Sequence, residues 1–157
     1  MKATKTTTAA AAWMVIAGAT IGLAAPAHAE SPVNLTATDD IRAELVQAGA
    51  MLTGRPATEF SGLAPGRTYY AFMPSGANPI YWAAAALYGP KSEEAAINLQ
   101  DQNSYMFFHK GADPDATWVP IAAGFGPIPA GMQPCPIPQP VRDMWQWPAG
   151  KCYPPSR

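Results

Sequence analysis

The stretch Ile80 to Tyr88, IYWAAAALY, limits the possible folds of this chain more than any other. Ala83 to Ala86 taken alone would favour a helix. The flanking Ile80-Tyr81-Trp82 and Leu87-Tyr88, with a Pro-Ser-Gly-Ala-Asn-Pro loop before them and Gly89-Pro90 after, predict a strand instead. Alternate residues of a strand point to opposite faces. Ile80, Trp82, Ala84, Ala86 and Tyr88 then face one way, and Tyr81, Ala83, Ala85 and Leu87 the other. Neither set is polar. The same doubling recurs in 105–110, where Tyr105 and Phe107 oppose Met106 and Phe108, and in 67–73, where Tyr70 and Phe72 oppose Tyr69, Ala71 and Met73. A sheet of such strands needs a cover on each side, because soluble monomers rarely expose large contiguous apolar patches.

One cover is legible as a helix. Thr38 offers a capping hydroxyl, Asp39 and Asp40 suit the positive end of the helix dipole, and Ile41, Leu45, Ala48 and Leu52 form an apolar stripe. Gly54 suits the stop and Pro56 forbids resumption. Residues 30–37 read as an extended arm and 55–66 as a connector with a turn at Pro65-Gly66. Five strands are expected after the helix: 67–73, 80–88, 95–100, 105–110 and 117–123. The third rests on Ile97 and Leu99 alternating with Asn98 and Gln100, although Ser92-Glu93-Glu94 would equally start a helix there. Pro120 places the last strand at an edge. The expected fold is therefore α+β, one N-terminal helix packed on an antiparallel sheet.

The second cover has to come from 124–157. This segment has nine prolines in 34 residues and no helical or strand period, yet it carries Phe125, Ile128, Met132, Ile137, Val141, Met144, Trp145, Trp147 and Tyr153. It is too apolar for a disordered tail. It reads as an irregular strap laid over the sheet, in one domain with the 30–123 core. Pro134, Pro136, Pro138 and Pro140 repeat every two residues, whereas polyproline ligands repeat every three.

The strap's fastening follows from where the chain is sent. Lys2 and Lys5, the uncharged run Ala9 to Ala25 and the small residues Ala27 and Ala29 have the build of a secretory signal peptide over 1–29, with cleavage after Ala29. Export brings the only two cysteines, Cys135 and Cys152, to an oxidising compartment, where a disulfide is the expected state. The formal net charge is −1, and −3 once Lys2 and Lys5 leave. Such a chain is a poor partner for nucleic acid or anionic lipid. No second long apolar run predicts a membrane span in the mature chain.

Catalytic signatures are weak. His109 is the one histidine beyond the signal segment, so any Ser-His-Asp or Cys-His arrangement depends on it. There is no G-x-S-x-G and no Gly-rich phosphate loop. Asp113-Pro114-Asp115 lacks the third ligand, the glycine and the distal glutamate of a calcium loop. Asp39-Asp40 and Glu93-Glu94 read as helix starts or solvated charge. Asn34-Leu35-Thr36 is an N-x-T sequon. No catalytic residue, metal ligand or cofactor is assigned. The remaining signal is aromatic, since flat rings stack on and desolvate ligands well. Candidate binding residues are Tyr81, Trp82, Trp145 and Trp147, with Arg142 supplying a polar group, and Tyr69 joins them in a possible groove.

The Ala/Thr-rich leader, "GRTYYAFMPSGANPIYWAAAALYG", "INLQDQNSYMFFHKGADPDATW" and the Pro/Trp/Cys tail resemble small exported proteins of actinobacteria, mycobacteria included. The resemblance covers most of the mature chain and implies export into a cell envelope. It transfers no activity and no catalytic residue. The expected role is an exported, non-catalytic binding or envelope-interaction protein, with envelope glycan, lipid or another exported protein as partner. The alternatives are a small enzyme with a site around His109 and a structural subunit of an envelope complex.

Overall fold

The computed structural model describes residues 31–74, 78–101, 105–123 and 135–155. The expected signal peptide and its cleavage site at Ala27 and Ala29 lie outside the described residues, as does the first part of the strap, 124–134. The architecture is α+β: five antiparallel strands in the order β1-β2-β3-β4-β5, with helices on them. The strands are β1 (Val33–Asn34), β2 (Phe60–Met73), β3 (Ile80–Pro90), β4 (Tyr105–Gly111) and β5 (Val119–Ala123).

The expected helix is α1 (Asp39–Thr53). Its first turn is capped by Thr38, whose hydroxyl accepts from the Ile41 N–H at 3.3 Å, satisfying one of the donors a helix start leaves free. Gly54 ends it in the left-handed conformation, at φ 67°. The helix is not the first element. The extended arm joins the sheet as β1, pairing Val33 with Phe72 and Asn34 with Ala71.

Two expectations change. The segment 95–100 is not a strand but part of α2 (Glu93–Asp101). Ser92 decides this: its hydroxyl accepts from the Ala95 N–H at 3.1 Å and donates to Glu59 at 2.7 Å. Glu59 in turn accepts two bonds from the Arg55 guanidinium, each 2.9 Å. The α2 start is thereby tied to the end of α1. Ala95 and Leu99, four apart, face the core, and Ile97 is left exposed. The second change is in the connector, where 60–66 belongs to β2. Pro65-Gly66 falls in a register irregularity between Leu63, opposite Leu87, and Thr68, opposite Ala85. A bulge tolerates a proline because no ladder bond is needed there.

The two-sided strands behave as their parity requires. Ala83, Ala85, Leu87, Met106 and Phe108 pack under α1 against Leu45, Ala48 and Ala50. Ala84, Ala86, Tyr105 and Phe107 pack on the other face against Ile137, Val141, Trp145 and Trp147. The four-alanine run stays a strand because each alanine lies opposite a large side chain of β4: Ala83 with Phe108, Ala84 with Phe107, Ala85 with Met106, Ala86 with Tyr105. Small residues in the middle strand let rings and cover approach from both sides. Gly49 serves the same end in the helix, since a Cβ there would stand 3.0 Å from the Met106 sulfur.

The described part of the strap is pinned by a Cys135–Cys152 disulfide, with Cα atoms 5.4 Å apart. It is not wholly irregular. A short helix, α3 (Gln139–Met144), runs through it, with Pro140 in the first turn where a missing N–H costs nothing. Val141 and Trp145 lie one turn apart on its inner side. Continued as a helix, the chain would turn Trp147 away from Trp145. Gln146 prevents this by taking a positive φ of 58°, and both indoles enter the core with ring centroids 5.3 Å apart. Arg142 staples the strap to itself, donating to the Ile137 carbonyl at 3.0 Å and the Lys151 carbonyl at 2.9 Å.

Candidate functional site

The aromatic and polar residues singled out by sequence do not form one cluster. Tyr81 and Trp82 are neighbours in β3 and therefore face opposite sides. Tyr81 joins the α1 side, with its ring 4.9 Å from Phe72 and 5.8 Å from Tyr70. Trp82, Trp145 and Trp147 belong to the strap side. Trp145 is 6 % exposed and Trp147 4 %. Tyr69 meets Trp145 at 5.5 Å and Trp147 edge-on at 5.6 Å, and Phe107 lies 6.0 Å from Trp147. These rings fill the space between strap and sheet. Burial pushes the Tyr105 hydroxyl far above its ordinary range, with the neighbouring Tyr69 adding to the shift. Arg142 spends two of its donors on strap carbonyls, as described. His109 stacks at 5.8 Å on Trp82. Among the described residues no hydrogen bond joins it to a hydroxyl, thiol or carboxylate, and no three His, Cys, Asp or Glu gather as a metal site.

A recess lies elsewhere, between α1 and the chain that links β4 to β5. Ala116 N–H donates to the Asp113 carbonyl at 3.0 Å, closing a turn around Pro114-Asp115. The turn carries the chain out past the helix before β5 returns to the sheet. A groove of about 680 Å³ is left, walled by Glu44, Gln47, Ala48 and Met51 of α1 on one side and by 114–120 on the other, with Lys110 and Trp118 at its base. This volume lies within the range of small-molecule sites. Met51 is 73 % exposed on the groove wall, the most exposed of the large apolar side chains among the described residues.

The charged groups of the groove are unequally committed. Lys110 donates to Glu44 at 3.1 Å; its side chain is 18 % exposed and that of Glu44 47 %. The Lys110 ammonium also stands 5.9 Å from the centre of the Trp118 ring, within cation–π range. Tyr70 meets Trp118 edge-on at 5.9 Å. Burial raises the Tyr70 hydroxyl above its usual range, and the nearby Tyr81 and the Glu44 charge raise it further. Trp118 is 6 % exposed, and its indole N–H has no acceptor among the described residues. One indole edge at the base, between walls that mix Ala48, Met51, Val119 and Pro120 with Glu44, Gln47 and Asp115, can bind an apolar group by desolvation.

Reading the sequence for aromatics missed this site, yet one signal was present. Glu44, Gln47, Ala48 and Met51 recur at i, i+3, i+4 and i+7, a second stripe beside the one that packs on the sheet. Only Ala48 belongs to both. The apolar Met51 on that second stripe has no core to enter. Among the described residues no helix is long and apolar enough to cross a membrane. Comparison with protein-family models, with curated proteins and with solved structures found no match to this chain.

Proposed function

We propose that this chain is an exported, non-catalytic binding protein that takes a small, largely apolar ligand in the groove between α1 and 114–120. The observation that carries the reading is the groove itself: about 680 Å³, with Met51 exposed on its wall and Trp118 at its base. Apolar surface held open in this way is stabilised by whatever removes it from water. Export is supported by the leader composition and by the disulfide, a bond that persists in oxidising compartments. Envelope lipid, or an apolar part of an envelope glycan, fits such a recess in size and character.

The test is titration of the oxidised, signal-processed protein with the neutral fluorophore N-phenyl-1-naphthylamine. A saturable rise in emission is expected. Met51→Gln, at a side chain 73 % exposed, should weaken it about five- to tenfold, as expected for losing roughly 1 kcal/mol of apolar contact. Absence of saturable binding, or binding indifferent to Met51→Gln, would remove the groove from consideration.

A second reading rests on β5. Val119 and Ile121 are exposed on this edge strand, 46 % and 38 % respectively. Exposed apolar edge strands suit pairing with another chain, which favours a subunit of a larger envelope assembly. A sedimentation profile that stays monomeric at high concentration and in envelope extract would count against it.

A further inference from the structure

The groove's charge balance narrows its ligand beyond the reading just given, on which this step rests. We propose that the occupant carries a cationic group, so that the preferred ligand is an amphiphile with an apolar body and an ammonium-type head, the head lying at Asp115. Among the described residues, three charged ones line the groove: Glu44, Lys110 and Asp115. Lys110 is already taken, held by Glu44 at 3.1 Å and close to the Trp118 ring. Glu44 is the matching half of that pair. Asp115 is exposed and makes no hydrogen bond or ion pair among the described residues. The lining therefore carries one uncompensated negative charge.

Each kind of head group meets this balance differently. An anionic head would face two carboxylates, with the one ammonium of the lining already engaged, and has to displace Glu44 to gain anything. A neutral head leaves the imbalance as it is. A cationic head brings the lining to neutrality while its apolar body covers Met51 and Pro120. The negative formal charge of the whole chain acts in the same direction at long range. The gain is modest because Asp115 faces water, where one exposed charge pair changes affinity by about two- to fivefold at low salt.

Three eight-carbon probes test the inference by NMR titration at low ionic strength, the two ions below their micelle concentrations and the alcohol below its solubility limit: octyltrimethylammonium, 1-octanol and octanoate. The expected order of affinity is cation, then alcohol, then anion. Asp115→Asn should bring the cation level with the alcohol. Asp115→Lys should place octanoate ahead of octyltrimethylammonium. Asp115 is exposed and has no hydrogen bond or ion pair among the described residues, so neither variant removes a polar contact of the fold. If all three probes bind the native protein in another order, or if the order ignores both Asp115 variants, the cationic preference is wrong and the apolar groove stands. If none of the three binds and N-phenyl-1-naphthylamine also fails, the groove reading falls with it.

Discussion

α1 and the segment 135–155 cover opposite faces of one sheet with different chemistry. Under α1, Leu45 and Ala48 meet Ala83, Ala85, Leu87 and Met106, with Phe60, Phe108 and Trp118 in the same cluster. The helix satisfies its own backbone and needs only Thr38 and Gly54 to finish its ends. The strap instead sends two indoles inward: Trp145 and Trp147 pack with Tyr69, Tyr105 and Phe107, beside Ile137 and Val141. Among its described residues the strap has six helical ones, and it is held by a disulfide and by Arg142 bonds to its own carbonyls. A regular element can be pressed onto a sheet by its stripe alone. A proline-rich segment makes few backbone bonds, so its position depends on bulky anchors and a covalent tie.

The comparison can be broken most forcefully at its anchors. Trp147→Ala should cost about 3–5 kcal/mol and Leu45→Ala about 2–5 kcal/mol by chemical denaturation, the spread reflecting how far each site collapses. Near-ultraviolet dichroism should fall for the tryptophan variant and hold for the leucine variant. Equal spectral loss in both would mean that the two faces do not order independently of each other.

Removing the covalent tie comes next. Replacing Cys135 and Cys152 together by serine should lower stability by about 3 kcal/mol, the chain-entropy value for a short loop. The helix face has no counterpart to this sensitivity, so far-ultraviolet helicity should persist after the strap loosens. A midpoint unchanged by reductant would show that the aromatic anchors hold the strap unaided.

Gln146 gives a smaller and more pointed test. Its positive φ costs about 1–2 kcal/mol in a residue with a β-carbon. Gln146→Gly should recover part of that, and Gln146→Val should destabilise by about 1 kcal/mol or more. Thermal midpoints moving in the same direction for both would show that this backbone turn does not set the approach of the two indoles.

The smallest effect belongs to the junction of α1 and α2. The Ser92 hydroxyl, and then the Arg55 guanidinium, hold the Glu59 carboxyl below its usual range, against a partial opposing effect of burial. A carboxyl lowered in the folded state adds stability that is fully present above its unfolded pKa and is lost as the pH falls through the folded one. Stability should therefore decline below about pH 4, the ordinary glutamate range, and Glu59→Gln should flatten that part of the profile. A profile identical in wild type and variant would assign the acid sensitivity to other carboxyls.

How much of this could be read from the chain differs by region. The stripe, cap and stop of α1 are local features, and the helix forms where they place it. The parity of β2, β3 and β4 is also local, and those of its residues that enter the two core clusters lie on the faces expected. The 95–100 segment was ambiguous because alternation and helical spacing overlap over six residues; the Ser92–Glu59 bond, which joins residues 33 apart, resolves it. The groove was hidden for a related reason. Its walls come from α1 and from a turn more than sixty residues later, and neither segment alone shows that a space remains between them.

By itself the sequence determined that this sheet has two apolar faces, that one helix covers the first, and that the cysteine-bearing tail has to serve the second. These follow from periodicity and from the cost of leaving apolar surface in water. Tertiary structure alone decided that Gln146 turns two tryptophans to the same side and that 95–100 belongs to a helix. It also decided that Met51, Lys110 and Trp118 share one groove. Such outcomes depend on which distant residues meet, and the energies that select them exist only once the chain has closed on itself.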